Sequence, residues 1–194
     1  LAVGQARTAI TGENIVKFEG IYTPAVTPLD AEGQIDREAY AAVLESLIEA
    51  GVHGIVVGGS TSEYYAQSTQ ERYDLAAYAK EVIGSRLPLI IGTGAMRTED
   101  SVEYAKAAKE IGADAILVST PPYALPTERE NAVHALTVDR AANLPIMLYN
   151  YPARMGMKMG EEYFSRVGKS KNVVAIKESS GETGNLHLLA RKFP

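Results

Sequence analysis

Six short apolar segments, which begin about 30 residues apart, constrain the fold of this chain more than any other feature. The intervals between their first residues are 33, 34, 26, 31 and 28 residues. None of the segments alternates apolar with polar residues, a pattern typical of strands that are buried on both faces of a parallel sheet. The segments are IYTPAVTP from Ile21, GIVVGG from Gly54, PLIIGTG from Pro88, DAILVST from Asp114, PIMLYNYP from Pro145 and VVAIKESS from Val173.

The stretches between these segments have the periodicity and end signals of amphipathic helices. A glutamate three residues after the predicted cap, Glu71 or Glu130, forms a capping box at two of the helix starts. Gly51 is placed to end the first helix. The residues that mark the six predicted helix starts are Asp36, Ser68, Thr98, Thr127, Gly160 and Thr183. Six strand-then-helix units in succession predict an α/β fold with right-handed crossovers.

An open doubly wound sheet and a (β/α)8 barrel (TIM barrel) both have this order of elements. A dinucleotide-binding sheet would need Gly-x-Gly-x-x-Gly after its first strand, where this chain has TPAVTPLDAEG. The glycine pairs at Gly58-Gly59 and at Gly92 and Gly94 are not followed by the Gly-Lys-Ser/Thr of a P-loop, which argues against a nucleotide-binding domain. Units of about 30 residues that end in polar residues favour the barrel.

Composition excludes several classes of protein and site. Cysteine is absent, so disulfides, thiolate metal sites and a cysteine nucleophile are excluded. The net charge is −5 and no Lys/Arg cluster occurs, so we expect no nucleic-acid surface. No apolar run approaches a membrane span of about 18 residues, and no secretion signal is recognisable, so we expect no membrane association and a cytoplasmic location. His53, His134 and His187 lack metal-ligand spacing, so we expect no metal site.

Polar residues end four of the six predicted strands. The carboxyl ends of barrel strands meet on one face, which is where active sites lie, so these residues are expected to share a pocket. They are Ser60 and Thr61, Ser119 and Thr120, Tyr149 and Asn150, and Lys177 and Glu178.

Lys177 is the strongest candidate for chemistry because it directly continues an apolar strand. Lysine is rarely buried without a partner. Its amine could reach the rim of the barrel or pair with Glu178. Alternatively, a desolvated pocket keeps the amine partly neutral, so that it attacks a carbonyl and forms a Schiff base. The imine then serves as an electron sink for making or breaking a neighbouring carbon–carbon bond, without a metal.

The other candidates each allow a structural and a chemical interpretation. Tyr149 is either a core aromatic or a proton relay for imine formation. Ser60 and Thr61 either satisfy loop backbone groups or, with backbone N–H groups at the glycine turn, bind a carboxylate. Arg154 is either an exposed loop residue or holds a second carboxylate through two hydrogen bonds.

Four segments, in this order, resemble the dihydrodipicolinate synthase and N-acetylneuraminate lyase family of class I pyruvate-dependent lyases. They are GIYTPAVTPLDAEGQID, GGSTSEYYAQSTQER, YNYPARMG and AIKESSG. The second is similar to the family's Gly-Ser/Thr-Thr-Gly-Glu motif, the third to its Tyr-Asn-x-Pro motif and the fourth to its Schiff-base strand. The resemblance extends from about Phe18 to the last residue.

The resemblance implies a TIM barrel in which Lys177 forms the Schiff base with pyruvate or another 2-oxo acid, with no metal or nucleotide cofactor. Ser60 and Thr61 would lie near the keto-acid carboxylate, and Thr61 would join Tyr149 in a hydroxyl relay. Tyr123, in STPPYALPT, is similar to the family tyrosine that reaches into a neighbouring subunit's site. The resemblance therefore also implies a homo-oligomer, commonly a dimer of dimers.

Arg154 is similar to the arginine with which lysine-pathway synthases hold the carboxylate of aspartate semialdehyde. This favours an activity like that of 4-hydroxy-tetrahydrodipicolinate synthase. Ser62, Pro122 and Met155 depart from the synthase pattern, which leaves open the 2-keto-3-deoxy sugar-acid aldolases and dehydratases and the N-acetylneuraminate lyases of the same family. A non-catalytic keto-acid-binding paralogue is a third hypothesis.

The length of 194 residues suits six units of a barrel that normally has eight. We therefore expect an N-terminal extension over residues 1–19 and a barrel domain over residues 20–194. Because a six-stranded barrel would leave two strand edges unpaired, the sequence predicts a fragment that lacks strands seven and eight.

Overall fold

The computed structural model describes residues 18–193. The expected N-terminal extension, residues 1–19, lies almost wholly outside the described residues, so its boundary with the barrel domain stays a prediction. The strands are β1 (Tyr22–Pro24), β2 (Gly54–Val57), β3 (Leu89–Gly92), β4 (Ala115–Ser119), β5 (Ile146–Asn150) and β6 (Val173–Glu178). The helices are α1 (Arg37–Glu49), α2 (Thr69–Ile83), α3 (Thr98–Ile111), α4 (Glu128–Ala142), α5 (Pro152–Met155), α6 (Glu161–Val167) and α7 (Thr183–Lys192).

All six strands are parallel, and their order in the sheet is their order in the chain. A doubly wound sheet would reverse direction at a switch point, with later strands added on the other side of the first. Adding every strand to the same edge instead builds the wall of a barrel. The prediction of a (β/α)8 barrel with six of its units in this chain is confirmed.

Two separate hydrophobic clusters show which face of each strand is turned inward. The larger cluster lies between the sheet and the helices and includes Ile116 of β4. The smaller one includes Leu117, the next residue of the same strand, with Val56, Ile90 and Tyr149 from neighbouring strands. Because successive residues of a strand point to opposite faces, this smaller cluster lines the concave inner face of the barrel wall.

Burial differs between the central and the outer strands. β2, β3, β4 and β5 are buried along their whole length, whereas β1 and β6 are half-buried. The expectation that all six strands are buried on both faces is therefore wrong for these two. The reason is that each of them pairs with a single neighbour within the described chain.

Most helix ends follow the local signals. Asp36 accepts a hydrogen bond from the Ala39 N–H, both predicted capping boxes form, and Gly160 caps α6. The predicted cap at Thr98 is wrong by one residue, because Arg97 occupies the cap position and Thr98 begins α3. The Thr98 hydroxyl lies 3.0 Å from His134 Nδ1 instead of capping the helix.

Candidate active site

Three polar side chains stand side by side at the carboxyl end of the inner face. Strand register places Ser119 of β4 opposite Tyr149 of β5, and Tyr149 opposite Lys177 of β6. Residues in register on adjacent parallel strands point to the same face of a sheet. The predicted meeting of strand ends is therefore confirmed for these residues, which lie far apart in the chain.

The Lys177 amine lies against an aromatic ring. Nζ is 4.3 Å from the centroid of the Tyr149 ring. Desolvation by burial lowers the pKa of Lys177, and within the described chain no carboxylate lies within ion-pair distance of it. A lysine whose pKa is lowered in this way has a larger neutral fraction, which is the nucleophilic form.

Glu178 does not pair with Lys177, so that interpretation of the lysine is wrong. Its carboxylate accepts hydrogen bonds from Asn150 Nδ2 at 3.0 and 2.9 Å, from the Ser180 N–H at 2.8 Å and from Asn185 Nδ2 at 2.7 Å. Partial burial by itself would raise the pKa of Glu178, but these hydrogen bonds outweigh it and the pKa lies below its usual value. Glu178 is therefore ionised, and its carboxylate is engaged in these hydrogen bonds on the face of β6 opposite to Lys177.

The Tyr149 side chain is buried at the centre of this group. Burial raises the pKa of its hydroxyl, while hydrogen bonds with the Ser60 and Ser179 side chains and the charge of Arg154 oppose that rise. The hydroxyl therefore stays protonated at neutral pH and is linked to two further hydroxyls. A chain of hydroxyls beside an amine provides a path for protons.

Hydrogen bonding with Ser60, on the glycine turn, lowers the pKa of Tyr149 against the larger effect of burial, which raises it. Gly58 adopts a φ of +65°, which favours glycine and turns the chain sharply after β2. A 3-10 turn over Ser60–Ser62 follows. In that turn Ser60 is half-buried, whereas the neighbouring Thr61 is exposed. The family resemblance implies the relay role at Thr61, the next residue of this turn, and that role stays a prediction.

Arg154 lies at the rim of the same group. It sits on the short helix α5, which follows β5 and was not expected from the sequence, and its guanidinium is 5.5 Å from the centroid of the Tyr151 ring. Hydrogen bonding to Tyr151, the largest effect, raises the pKa of Arg154, with smaller contributions from Tyr149 and Tyr65. Arg154 is exposed to solvent at this rim.

The surroundings of Tyr123 differ from those of this group of side chains. It lies in the loop between β4 and α4, has a φ of +70°, and is 91% exposed. The side chain therefore makes little contact with its own chain.

Two of the residues that depart from the synthase pattern have structural roles. The Ser62 hydroxyl is buried and donates to the Ala25 backbone carbonyl at 2.8 Å, which ties the glycine turn to the end of β1. Met155 is buried within the fold rather than exposed at the rim.

Several contributors to the site were not singled out from the sequence. Ser179 bonds to the Tyr149 hydroxyl, and Asn185 bonds to Glu178. Arg72, on α2, is buried beneath the glycine turn. The Ser-Ser pair after Glu178 was a visible signal for Ser179, and Arg72 is the last residue of the family-like segment GGSTSEYYAQSTQER, but nothing in the sequence showed that its side chain is buried.

Two other kinds of feature are absent from the described residues. Within residues 18–193, no group of three or more His, Cys, Asp or Glu side chains is arranged to hold a metal ion. In the same range no helix combines the length and the apolar character needed to cross a membrane.

Comparison with known proteins places this geometry in a family. The model of the dihydrodipicolinate synthetase family matches residues 17–193. The 4-hydroxy-tetrahydrodipicolinate synthase of Stenotrophomonas maltophilia is 39% identical over 181 residues, which cover 92% of this chain and 61% of that protein.

Two solved structures show the same fold. The 4-hydroxy-tetrahydrodipicolinate synthase from Methylacidiphilum fumariolicum superposes with a TM-score of 0.88 at 34% identity, over 92% of this chain and 59% of that one. CdNal from Clostridium difficile, solved in complex with mannosamine, gives a TM-score of 0.89 at 26% identity, over 92% of this chain and 62% of that one. The chain thus spans about 60% of the length of the relatives it matches. It belongs to the dihydrodipicolinate synthetase family.

Proposed function

We propose that this chain carries the imine-forming site of a 4-hydroxy-tetrahydrodipicolinate synthase, which condenses pyruvate with aspartate semialdehyde. The observation that carries the proposal is the Lys177 amine, which is half-buried, lies 4.3 Å from the Tyr149 ring centroid and has a lowered pKa. The 39% identity to a curated synthase supports the choice of reaction.

The first step is attack of the neutral Lys177 amine on the keto carbon of pyruvate, which forms a carbinolamine. The carbinolamine loses its hydroxyl as water and leaves an imine. Both stages move protons between nitrogen and oxygen, and the Tyr149 hydroxyl, bonded to Ser60 and Ser179, is placed to carry them. Loss of a proton from the methyl carbon then gives an enamine. That carbon attacks the aldehyde carbon, and the aldehyde oxygen takes up a proton and becomes a hydroxyl. The amino group of the former semialdehyde then adds to the imine carbon, which closes the ring of the product and expels Lys177 as its free amine.

Two groups are proposed to hold carboxylates. Ser60 and Thr61, with the backbone N–H groups of the Gly58 turn, bind the carboxylate of the keto acid. Arg154, exposed at the rim beside Tyr151, binds the carboxylate of the aldehyde substrate through its guanidinium.

The remaining expectations follow from membership of the family. The chemistry needs no metal or nucleotide, because the imine itself withdraws electrons. Tyr123, whose side chain is 91% exposed, is proposed to enter the site of a neighbouring copy, in a homo-oligomer that we expect to be a dimer of dimers in the cytoplasm.

Trapping with borohydride tests the proposal directly. Incubation with pyruvate and borohydride should leave a reduced adduct on the peptide that contains Lys177, and Lys177→Ala should leave none. Lys158→Ala, at an exposed lysine paired with Glu182, is the matched control and should keep the adduct. Absence of an adduct in the folded wild-type protein would contradict the proposal. Pyruvate binding that persists unchanged in Lys177→Ala, without an adduct, would favour a non-catalytic binding protein.

A second candidate is an aldolase or dehydratase for 2-keto-3-deoxy sugar acids, or an N-acetylneuraminate lyase-like enzyme. The observation in its favour is the TM-score of 0.89 to CdNal, together with Pro122 in place of a synthase tyrosine. Arg154→Ala distinguishes the candidates. In a synthase it should lower turnover of aspartate semialdehyde by about a hundredfold and leave imine formation with pyruvate nearly unchanged. Turnover of sugar acids alone would identify the second candidate.

A further inference from the structure

Arg72 is a buried cation whose partners are backbone carbonyls rather than an acid. It is 9% exposed, and its two terminal nitrogens donate to Gly94 O at 2.9 Å and to Gly92 O at 3.0 Å. Within the described chain it forms no ion pair. The Tyr104 ring covers the guanidinium, with its centroid 3.5 Å from the central carbon. The planar guanidinium presents its N–H donors in a fixed fork, so it holds the two carbonyls in one relative geometry.

The carbonyls that Arg72 holds belong to Gly92, the last residue of β3, and to Gly94 in the loop that follows, and the end of β3 touches the turn after β2 without intervening side chains. A Cβ on Gly92 would lie 2.2 Å from Gly58 O, so the two backbones are in direct contact. A Cβ on Gly94 would lie 3.0 Å from the Tyr64 ring and 3.2 Å from Ser119 Oγ. A shift of the β3 end therefore displaces the Gly58 turn as well.

Arg72 also contacts the segment that follows that turn. The centroid of the Tyr64 ring lies 5.0 Å from its guanidinium carbon. Tyr64 comes four residues after Ser60, and the turn between them is held by backbone hydrogen bonds from Ser62 N to Gly59 O at 3.0 Å and from Glu63 N to Ser60 O at 3.2 Å. The guanidinium of Arg72 thus contacts two parts of the chain next to the Ser60 turn. These are the end of β3, which packs against the Gly58 turn, and the Tyr64 ring, which follows Ser60.

We propose that Arg72 is a positioning residue, which holds the Gly58–Ser60 turn so that the Ser60 hydroxyl meets Tyr149 and the keto-acid carboxylate. This inference rests on the proposed function of that site. Arg72 does not itself touch the substrate. Its effect passes through Ser60.

The test is a double-mutant cycle on the rate of imine formation with pyruvate, quenched by borohydride. Arg72→Lys keeps the charge and loses the planar fork, and both it and Ser60→Ala should slow imine formation about tenfold or more. The double variant should be no slower than Ser60→Ala alone, within about twofold, since Arg72 acts through that hydroxyl. Arg86→Lys, at an exposed arginine paired with Glu45, should leave the rate unchanged.

The inference would be overturned if the double variant slows imine formation by the product of the two single effects. It would also be overturned if Arg72→Lys leaves the rate of imine formation unchanged. Where Arg72→Lys does not fold, Tyr104→Leu removes the ring over the guanidinium and is judged by the same cycle. Where the wild-type protein forms no adduct, the proposed function fails, and hydrogen exchange then decides on positioning alone. The Ser62 and Glu63 amides should exchange faster in Arg72→Lys than in wild type, and equal exchange would refute the inference.

Discussion

Protonation of His134 is expected to destabilise the fold by about 2 kcal/mol between pH 7 and pH 5. The ring is 5% exposed on the inner side of α4. Nδ1 lies 3.0 Å from the Thr98 hydroxyl, and the ring also bonds to the Ser119 backbone. Ser119 stands opposite Tyr149 in the sheet, so this histidine supports the wall behind the candidate site.

The magnitude follows from the difference in proton affinity between the two states. Burial, opposed by the smaller effect of the Ser119 bond, lowers the pKa of His134 from 6.5 to about 4. The unfolded chain therefore binds the proton more readily, and stability is lost as the pH falls from about 6.5 toward 4. About 2.5 units at about 1.4 kcal/mol per unit give a ceiling of about 3.4 kcal/mol, of which about 2 is lost by pH 5.

Urea unfolding at pH 7, 6 and 5, followed by circular dichroism, measures this loss in wild type and in His134→Gln. Glutamine keeps a neutral donor and acceptor but cannot gain the proton. The free energy of unfolding of the variant should fall by about 2 kcal/mol less over this range. His53 and His187 are present in both proteins and cancel in the comparison. Parallel falls in the two proteins would refute the reasoning.

Three further predictions concern the site and its support. Asn150→Ala should lower the free energy of unfolding by about 3 kcal/mol, because the Glu178 carboxylate loses two hydrogen bonds from a buried amide; a loss below about 1 kcal/mol in urea unfolding would contradict this. Tyr149→Phe should slow imine formation about a hundredfold, measured by timed borohydride quenching, and an unchanged rate would exclude the relay. Gly92→Ala should destabilise the protein by about 2 kcal/mol or more, since its Cβ would lie 2.2 Å from a backbone oxygen. The control Gly184→Ala, in open space on α7, should be neutral or slightly stabilising in a thermal melt. Equal melting temperatures of the two variants would show the strand contact to be unimportant.

Local signals predicted the helix ends well because a cap involves only residues three or four apart. The error at Thr98 arose from a distant partner, since the hydroxyl that would have capped α3 bonds to His134, 36 residues later. The error over the burial of β6 has a similar origin. An apolar run indicates that a strand can be buried on both faces, but the number of neighbours it pairs with is a property of the sheet.

From the sequence alone an ion pair between Lys177 and Glu178 was possible, but the geometry of the strand excludes it. Adjacent residues of a strand face opposite sides, so Lys177 turns toward Tyr149 and Glu178 toward Asn150. The sequence could not show which face was the inner one, because β6 reads as apolar on both. Contact with the inner cluster through Tyr149 decided it.

The sequence by itself determined the succession of the six strands and of the helices other than α5, favoured the barrel class, and indicated four strand ends that would meet. These properties depend on periodicity, on capping chemistry and on the rule that parallel strands end on one side. Only the tertiary structure decided that the Lys177 amine lies against the Tyr149 ring while Glu178 bonds to Asn150, and that Arg72 is buried under the glycine turn. The physical reason is that one residue along a strand or turn reverses the direction of a side chain, and the register and curvature of the whole sheet set that direction.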